Sequence, residues 1–386
     1  MLKYFSADWI FPVSSAPIKN GAVCVDEVGK ILEILSEDEI SALNINVEKL
    51  KGAIVPGCIN THCHLELSHL FNVIPEKTGL PNFVRLIVAN RTEPDLEVIE
   101  AMKLANEEMF SNGIVAVGDI ANELISRNTK AKSKLYYHTF IEVFGFNKSP
   151  NLIIDEAIEI RNAYEPLMAS IVPHAPYSVS KLLFNKINKQ VKPNDVLTIH
   201  SQETLAETEF FENGTGSFAT MYDRLNTPKE DWHGNGENSL KYHLPQLSKN
   251  NLILVHNTFT TASDVDFANT QHEKLFWCLC PNANLYIENN LPDVKMLMEK
   301  DATITLGTDS LASNHQLNIL AEMHTLQQHK NLPFNNLICW ATLNGAKALN
   351  IDAKYGSIEK GKTPGLNLIQ LDDDFTIISD AVIKLL

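Results

Sequence analysis

The chain has 386 residues, 44% hydrophobic and 20% charged, with a formal net charge of −15. That length suits one large catalytic domain plus a small accessory one around a substantial core. The acidic balance, without clustered Lys and Arg, argues against nucleic acid or an anionic membrane as main partner and leaves a small-molecule substrate open.

Residues 1–8 lack a basic region followed by an uninterrupted apolar run, and no segment approaches the ~20 apolar residues that span a bilayer. A soluble cytoplasmic protein is therefore expected. Six cysteines, at 24, 58, 63, 278, 280 and 339, lack the density of a disulfide scaffold and read as reduced thiols. Cys278 and Cys280 end an apolar run beside Pro281, where structural thiols are commoner than ligands.

In chain order, residues 1–52 carry short strand-like runs such as Ala22-Val23-Cys24-Val25-Asp26 and Ile31-Leu32-Glu33-Ile34-Leu35. The chain turns β-like again at 366–371 and 381–385. Each end alone would be marginal, so 1–52 and 355–386 are expected to combine into a small β-sandwich. Between them, short apolar β-branched runs recur at 53–61, 114–118, 135–141, 169–173, 196–199, 252–255, 275–279 and 303–307. Helix-like stretches separate most of them, for example at 96–112, 151–164, 180–189 and, after the last strand, 335–349. Near-continuous apolar strands alternating with helices imply an α/β fold with a covered parallel sheet, and eight units suggest a (β/α)8 TIM barrel over 53–354. The connection 201–251 is too long for a simple loop; it reads equally as a lid at the barrel mouth or as a surface excursion.

Such a barrel places its active site at the strands' carboxyl ends. Those ends are His62 and His64, Asp119, Glu142, His174, His200, His256, Asn282 and Asp309. One histidine alone would more often cap a loop, whereas histidine or carboxylate at seven of eight ends suggests a ring of functional groups. In Thr61-His62-Cys63-His64, strand alternation sends both imidazoles the same way. A catalytic zinc needs three or four N or O ligands with a position left for water, and His62, His64, His200 and Asp309 can supply them. Glu203 follows His200 by three residues, where a helical turn would bring its carboxylate back over the metal.

Here the chain resembles the amidohydrolase superfamily, in particular the mononuclear branch with cytosine, S-adenosylhomocysteine and aminodeoxyfutalosine deaminases and chlorohydrolases. The likeness rests on Pro56-Gly57-Cys58-Ile59-Asn60-Thr61-His62-Cys63-His64, Val172-Pro173-His174-Ala175-Pro176-Tyr177-Ser178, His200-Ser201-Gln202-Glu203, Leu254-Val255-His256-Asn257, Cys280-Pro281-Asn282-Ala283-Asn284 and Leu306-Gly307-Thr308-Asp309-Ser310. The terminal motif Gly356-Ser357-Ile358-Glu359-Lys360-Gly361-Lys362 is present, although Gly365-Leu366-Asn367 replaces the usual Ala-Asp after it.

The resemblance implies that His62, His64, His200 and Asp309 hold one divalent metal, zinc before iron or manganese, whose bound water is the nucleophile. Asp309 with His256 would take the water's proton, and Glu203 would protonate the ring nitrogen next to the attacked carbon. His174 would contact substrate; Glu66, Glu142 and Trp232 could do so or serve structural roles equally well. Binuclear members carry a modified lysine at the end of strand four, where this chain has His174, so one metal is expected. The implied reaction is hydrolytic deamination of a cyclic amidine in a purine nucleoside-like molecule, aminodeoxyfutalosine first, then S-adenosylhomocysteine or 5′-methylthioadenosine. Triazine-type amino- or chlorohydrolysis and a non-catalytic binding barrel are the alternatives; a homodimer would be ordinary among such enzymes.

Overall fold

The computed structural model describes residues 2–44, 47–91, 96–145, 149–224, 234 and 236–386. In chain order the strands are β1 (Lys3–Ile10), β2 (Ile18–Lys19), β3 (Ala22–Val25), β4 (Ile31–Leu35) and β5 (Lys49–Pro56). There follow β6 (Cys58–Cys63), β7 (Ile114–Ala121), β8 (Tyr136–Val143), β9 (Met168–Pro173), β10 (Val196–Ser201), β11 (Asn251–His256), β12 (Leu275–Leu279) and β13 (Ile304–Leu306), then β14 (Leu366–Ile369) and β15 (Ile383–Lys384).

Strands β6 to β9 form one four-stranded parallel sheet in sequential order, and β10 to β13 a second. Every residue of β6, β10 and β11 is buried, which is why these strands read as continuous apolar runs. Between the sheets, the His200 amide donates to the His174 carbonyl at 3.0 Å. At the other edges, the Thr308 and Asp309 amides both donate to the His62 carbonyl at 3.1 Å. Helices pack outside through apolar stripes; Leu96–Ser111 buries Val98, Met102, Ala105 and Met109, one face at helical spacing. The result is an α/β fold of parallel sheets with TIM-barrel-like layout.

The two chain ends do meet, in a seven-stranded sheet of order β15-β14-β5-β1-β3-β4 with β2 beside β1. The strand expected over 53–61 is two strands. Residues 53–56 belong to β5, which pairs with β1 and β14, so a division between 52 and 53 falls inside a strand. Gly57 makes the break: a Cβ there would press on Val115 and sit 2.7 Å from the Pro364 carbonyl.

The long connection 201–251 is helical where described, with helices Leu205–Asn213, Gly216–Arg224 and Ser239–His243. Gly214, left-handed at φ 70°, ends the first of these. Residues 225–233 and 235 of this connection lie outside the described residues. No helix among the described residues is long and apolar enough to cross a membrane.

Candidate active site

Four donor atoms from three strand ends converge. His64 Nε2 lies 3.1 Å from His62 Nε2 and 3.3 Å from His200 Nε2, and Asp309 Oδ1 lies 3.4 Å from both His62 Nε2 and His64 Nε2. A tetrahedral ion with bonds of about 2.0–2.1 Å has donor–donor edges of about 3.3–3.4 Å, and these four spacings are of that size; His62 groups within 4.8 Å both with His64 and Asp309 and with His200 and His256, so the cluster could hold a metal ion.

The backbone is shaped to bring them together. Gly307 lets β13 approach β6, since a Cβ there would stand 2.8 Å from His62 Cβ. Asn60 clamps the turn that follows: its Nδ2 donates to Thr308 Oγ1 at 2.7 Å and its Oδ1 accepts from the Thr308 amide at 3.1 Å. Asp309 is then held left-handed at φ 56°, a conformation that a non-glycine residue keeps only where its surroundings over-determine it.

Two of the three imidazoles and the carboxylate are in states that suit a cation. Burial and the neighbouring imidazoles push His64 down to about 3 and His200 well below its ordinary value, so both rings keep a lone pair free. His200 Nδ1 faces the His174 carbonyl at 2.8 Å; a carbonyl only accepts, so the proton sits on Nδ1 and Nε2 is the free donor. Burial would raise Asp309, but His62, His64 and His256 hold its carboxyl well below the carboxylate range. Burial lowers His62, and Asp309 more than reverses it.

Glu203 and His256 stand beside the cage, His256 Nε2 3.7 Å from Glu203 Oε1. Burial, with Asp309 nearby, drives the Glu203 carboxyl well above its ordinary value, which favours its protonated form. Burial lowers His256 to about 4, leaving a neutral base. The helical turn expected at Glu203 begins later, at Leu205 behind the Thr204 cap; the left-handed Gln202 (φ 49°) makes the bend instead.

A cavity of about 800 Å³ opens above these groups, with His64, His200, Glu203, His256, Asp309, His174 and Glu142 in its lining. The His174 ring is engaged at Nδ1 by Ser178 Oγ, at 2.7 Å. Glu142 accepts from Asn122 Nδ2 at 3.2 Å through Oε2, while its buried Oε1 has no hydrogen-bond partner among the described residues.

The family model described as the amidohydrolase family matches residues 53–384. This chain belongs to that family. It is 27% identical over 375 residues to an adenosine deaminase of Helicobacter pylori, covering 93% of this chain and 89% of that one. A 5′-deoxyadenosine deaminase of Methanococcoides burtonii is 28% identical over 360 residues, 87% of this chain and 76% of the relative. Among solved structures, the aminofutalosine deaminase of Helicobacter pylori in complex with methylthio-coformycin superposes with TM-score 0.83 over 97% of this chain and 93% of its own, at 24% identity. The fold is thus shared with that enzyme.

Several strand-end groups of this amidohydrolase turn away from the cavity. Glu66 is outside its lining and is taken up by the Asn122 amide (3.0 Å), Ser126 Oγ (3.1 Å) and Arg91 (3.6 Å). Asp119 pairs with the fully buried Lys130 at 2.6 Å and accepts from the Leu65 amide at 2.8 Å, bracing the turn after His64. Asn282 serves Glu322, through its amide at 2.9 Å and Nδ2 at 3.0 Å. Trp232 lies outside the described residues. Cys278 and Cys280 are buried free thiols, 4.0 Å apart. Sequence reading missed Ser313, whose hydroxyl donates to Asp309 Oδ2 at 2.7 Å; its place four residues after Asp309 was the available signal.

Proposed function

We propose that this amidohydrolase holds one divalent ion, zinc by donor type, on His62, His64, His200 and Asp309. It would remove the exocyclic amine of a 6-aminopurine within a nucleoside-like molecule, releasing ammonia. The observation that supports this reading is the convergence of His62, His64, His200 and Asp309 onto a cavity beside the buried Glu203. Iron and manganese accept the same donor set.

The bound ion supplies an acidified water, available as nucleophile at neutral pH. Asp309 and the neutral His256 take the proton released as that water attacks the amino-bearing carbon. Glu203 delivers its proton to the adjacent ring nitrogen, so that charge does not accumulate on the ring as the carbon becomes tetrahedral. As the carbon–nitrogen bond breaks, the proton held by Asp309 and His256 would pass to the departing amine and the new hydroxyl would return a proton to Glu203, leaving the oxo product and ammonia. Glu142, with an unfilled acceptor oxygen, and His174 beside it suit hydroxyl groups of the sugar. Glu66 we assign to bracing the turn after His64. Aminodeoxyfutalosine, S-adenosylhomocysteine and 5′-methylthioadenosine are the substrates to try.

We read the two four-stranded sheets as halves of one closed (β/α)8 barrel beside a small β domain from the chain ends; the bonds across both pairs of sheet edges support closure. Metal analysis of purified protein, with ammonia release across a panel of adenine nucleosides and other aminated heterocycles, tests the function. Stoichiometric metal with adenine-nucleoside turnover is expected. A metal-loaded protein inactive on the whole panel would end the deaminase reading.

A further inference from the structure

At the end of β11, His256 (φ 75°) and Asn257 (φ 55°) are consecutive left-handed residues, and Asn257 Nδ2 closes that turn by donating to the Leu254 carbonyl at 2.7 Å. The His256 imidazole lies nearly parallel to that of His200, ring centroids 5.5 Å apart at 20°, and edge-on to His62 at 5.7 Å. Such packing fixes the plane of the ring. It does not decide which nitrogen of a neutral imidazole carries the proton, because the two tautomers have the same shape.

A hydrogen-bonding neighbour has to decide that, and Asn284 stands in the place for it. Asn282 and Asn284 are two residues apart on the helix Pro281–Glu288 and so leave it on different sides. Asn282 serves Glu322, whereas Asn284 reaches the turn after β11, where its Nδ2 donates to Thr258 Oγ1. The Asn284 carboxamide is also a side-chain neighbour of His256 at hydrogen-bonding range. With Nδ2 committed to Thr258, Oδ1 is the atom it has to offer. His256 Nδ1 and Asn284 Oδ1 are both buried, and neither makes a well-formed hydrogen bond to another group among the described residues. A donor and an acceptor buried side by side each lose their hydration, and one proton shared between them offsets both losses. The other ring nitrogen, Nε2, is the one that stands 3.7 Å from Glu203 Oε1, where His256 lines the cavity.

Resting on the deaminase reading, we propose that Asn284 is a positioning residue whose Oδ1 accepts the Nδ1 proton of His256 and so keeps the lone pair on Nε2. Nε2 is then able to take the proton of the attacking water and to give the same proton up to the departing amine, while the Nδ1 proton never moves. When the ring is briefly an imidazolium, the bond to Oδ1 becomes charge-assisted and stronger. In the other tautomer Nε2 already carries a proton and accepts none.

Zinc-loaded enzyme with isotope-labelled histidine rings tests this by nitrogen NMR, with His256→Gln identifying the signals of that ring. Wild type should show a protonated Nδ1 and a bare Nε2. Asn284→Leu keeps the size and removes the acceptor, and the ring should pass to the Nε2-protonated form or a mixture. Asn284→Asp keeps an acceptor oxygen and should retain the wild-type form. On an adenine nucleoside, kcat should fall about 10–100-fold in Asn284→Leu, a part of the roughly 10²–10⁴-fold that a positioned base supplies, and return to within about threefold of wild type in Asn284→Asp. KM and bound zinc should stay unchanged, which a general loosening of the fold would not allow. A proton on Nε2 in wild type overturns the proposal even if Asn284→Leu fails to fold; so does an Nδ1-protonated ring or an undiminished kcat in Asn284→Leu. If wild type turns over no adenine nucleoside, the deaminase reading fails, and the ring signals alone decide the hydrogen bond: its loss in Asn284→Leu and retention in Asn284→Asp sustains it, and identical spectra overturn it.

Discussion

Ser313 Oγ donates to Asp309 Oδ2 at 2.7 Å, which leaves Asp309 Oδ1 as the oxygen facing His62 and His64. The hydroxyl fixes the carboxylate's rotation, because Oδ2 would lose its buried partner if the group turned. A second contact, Ser310 Oγ at 3.3 Å, holds Ser313 in turn. In S313A the carboxylate is free to rotate, and metal affinity should fall by about 10–100-fold, as for other groups that orient a ligand from behind. Competition with a chromophoric chelator measures this, and an unchanged affinity would show that the backbone alone sets Asp309.

Glu203 is buried beside the metal-type cluster without belonging to its four close donors, and burial pushes its carboxyl up. Glu203→Gln keeps the shape and removes the transferable proton. Turnover should drop by about 10²–10⁴-fold, with metal content unchanged. Loss of metal in this variant would assign Glu203 to the cage and remove it as the acid.

The Asp119–Lys130 pair is wholly buried, and Lys130 also lies against the rings of Tyr137 and Tyr164 and donates to Thr139 Oγ1. Lys130→Met strands a buried carboxylate and should cost about 3–5 kcal/mol in urea unfolding, with Asp119→Asn in the same chain recovering part of it. A cost below about 1 kcal/mol would mean that water reaches Asp119 in the variant.

Glu207 shows a pH dependence with a definite sign. Burial raises its carboxyl from the ordinary 4.5 to about 7, and Oε2 has no hydrogen-bond partner among the described residues. A folded value above the unfolded one means that its contribution is complete below about 4.5 and is lost as pH rises through about 7. Wild type should lose up to about 3 kcal/mol relative to Glu207→Gln across that window. Parallel stability curves for the two proteins between pH 5 and 8 would show that Glu207 ionises without penalty.

Much of the site was legible because two local regularities carry it. A period of two sends His62 and His64 to one side, and parallel strands with covered faces put their polar ends at one rim. Buried strands announce themselves by being apolar throughout, so β7 to β12 fell close to their expected ranges. Gly57 was harder: its neighbour Val115 is 58 residues away in sequence, and without it 53–61 reads as one strand.

The sequence by itself determined the alternation of strands and helices, the metal-binding residue types and their order along the chain. Tertiary structure alone decided which polar strand ends face the cavity. Glu142 lies in its lining, with Oε1 3.7 Å from His200 Nδ1; Asp119 and Glu66 do not, because Lys130 and Ser126 satisfy them from behind. Local pattern reports the face on which a side chain starts, whereas its charge partner is chosen by which distant segment packs there. In a low-dielectric interior that choice separates a buried brace from a group left open to substrate.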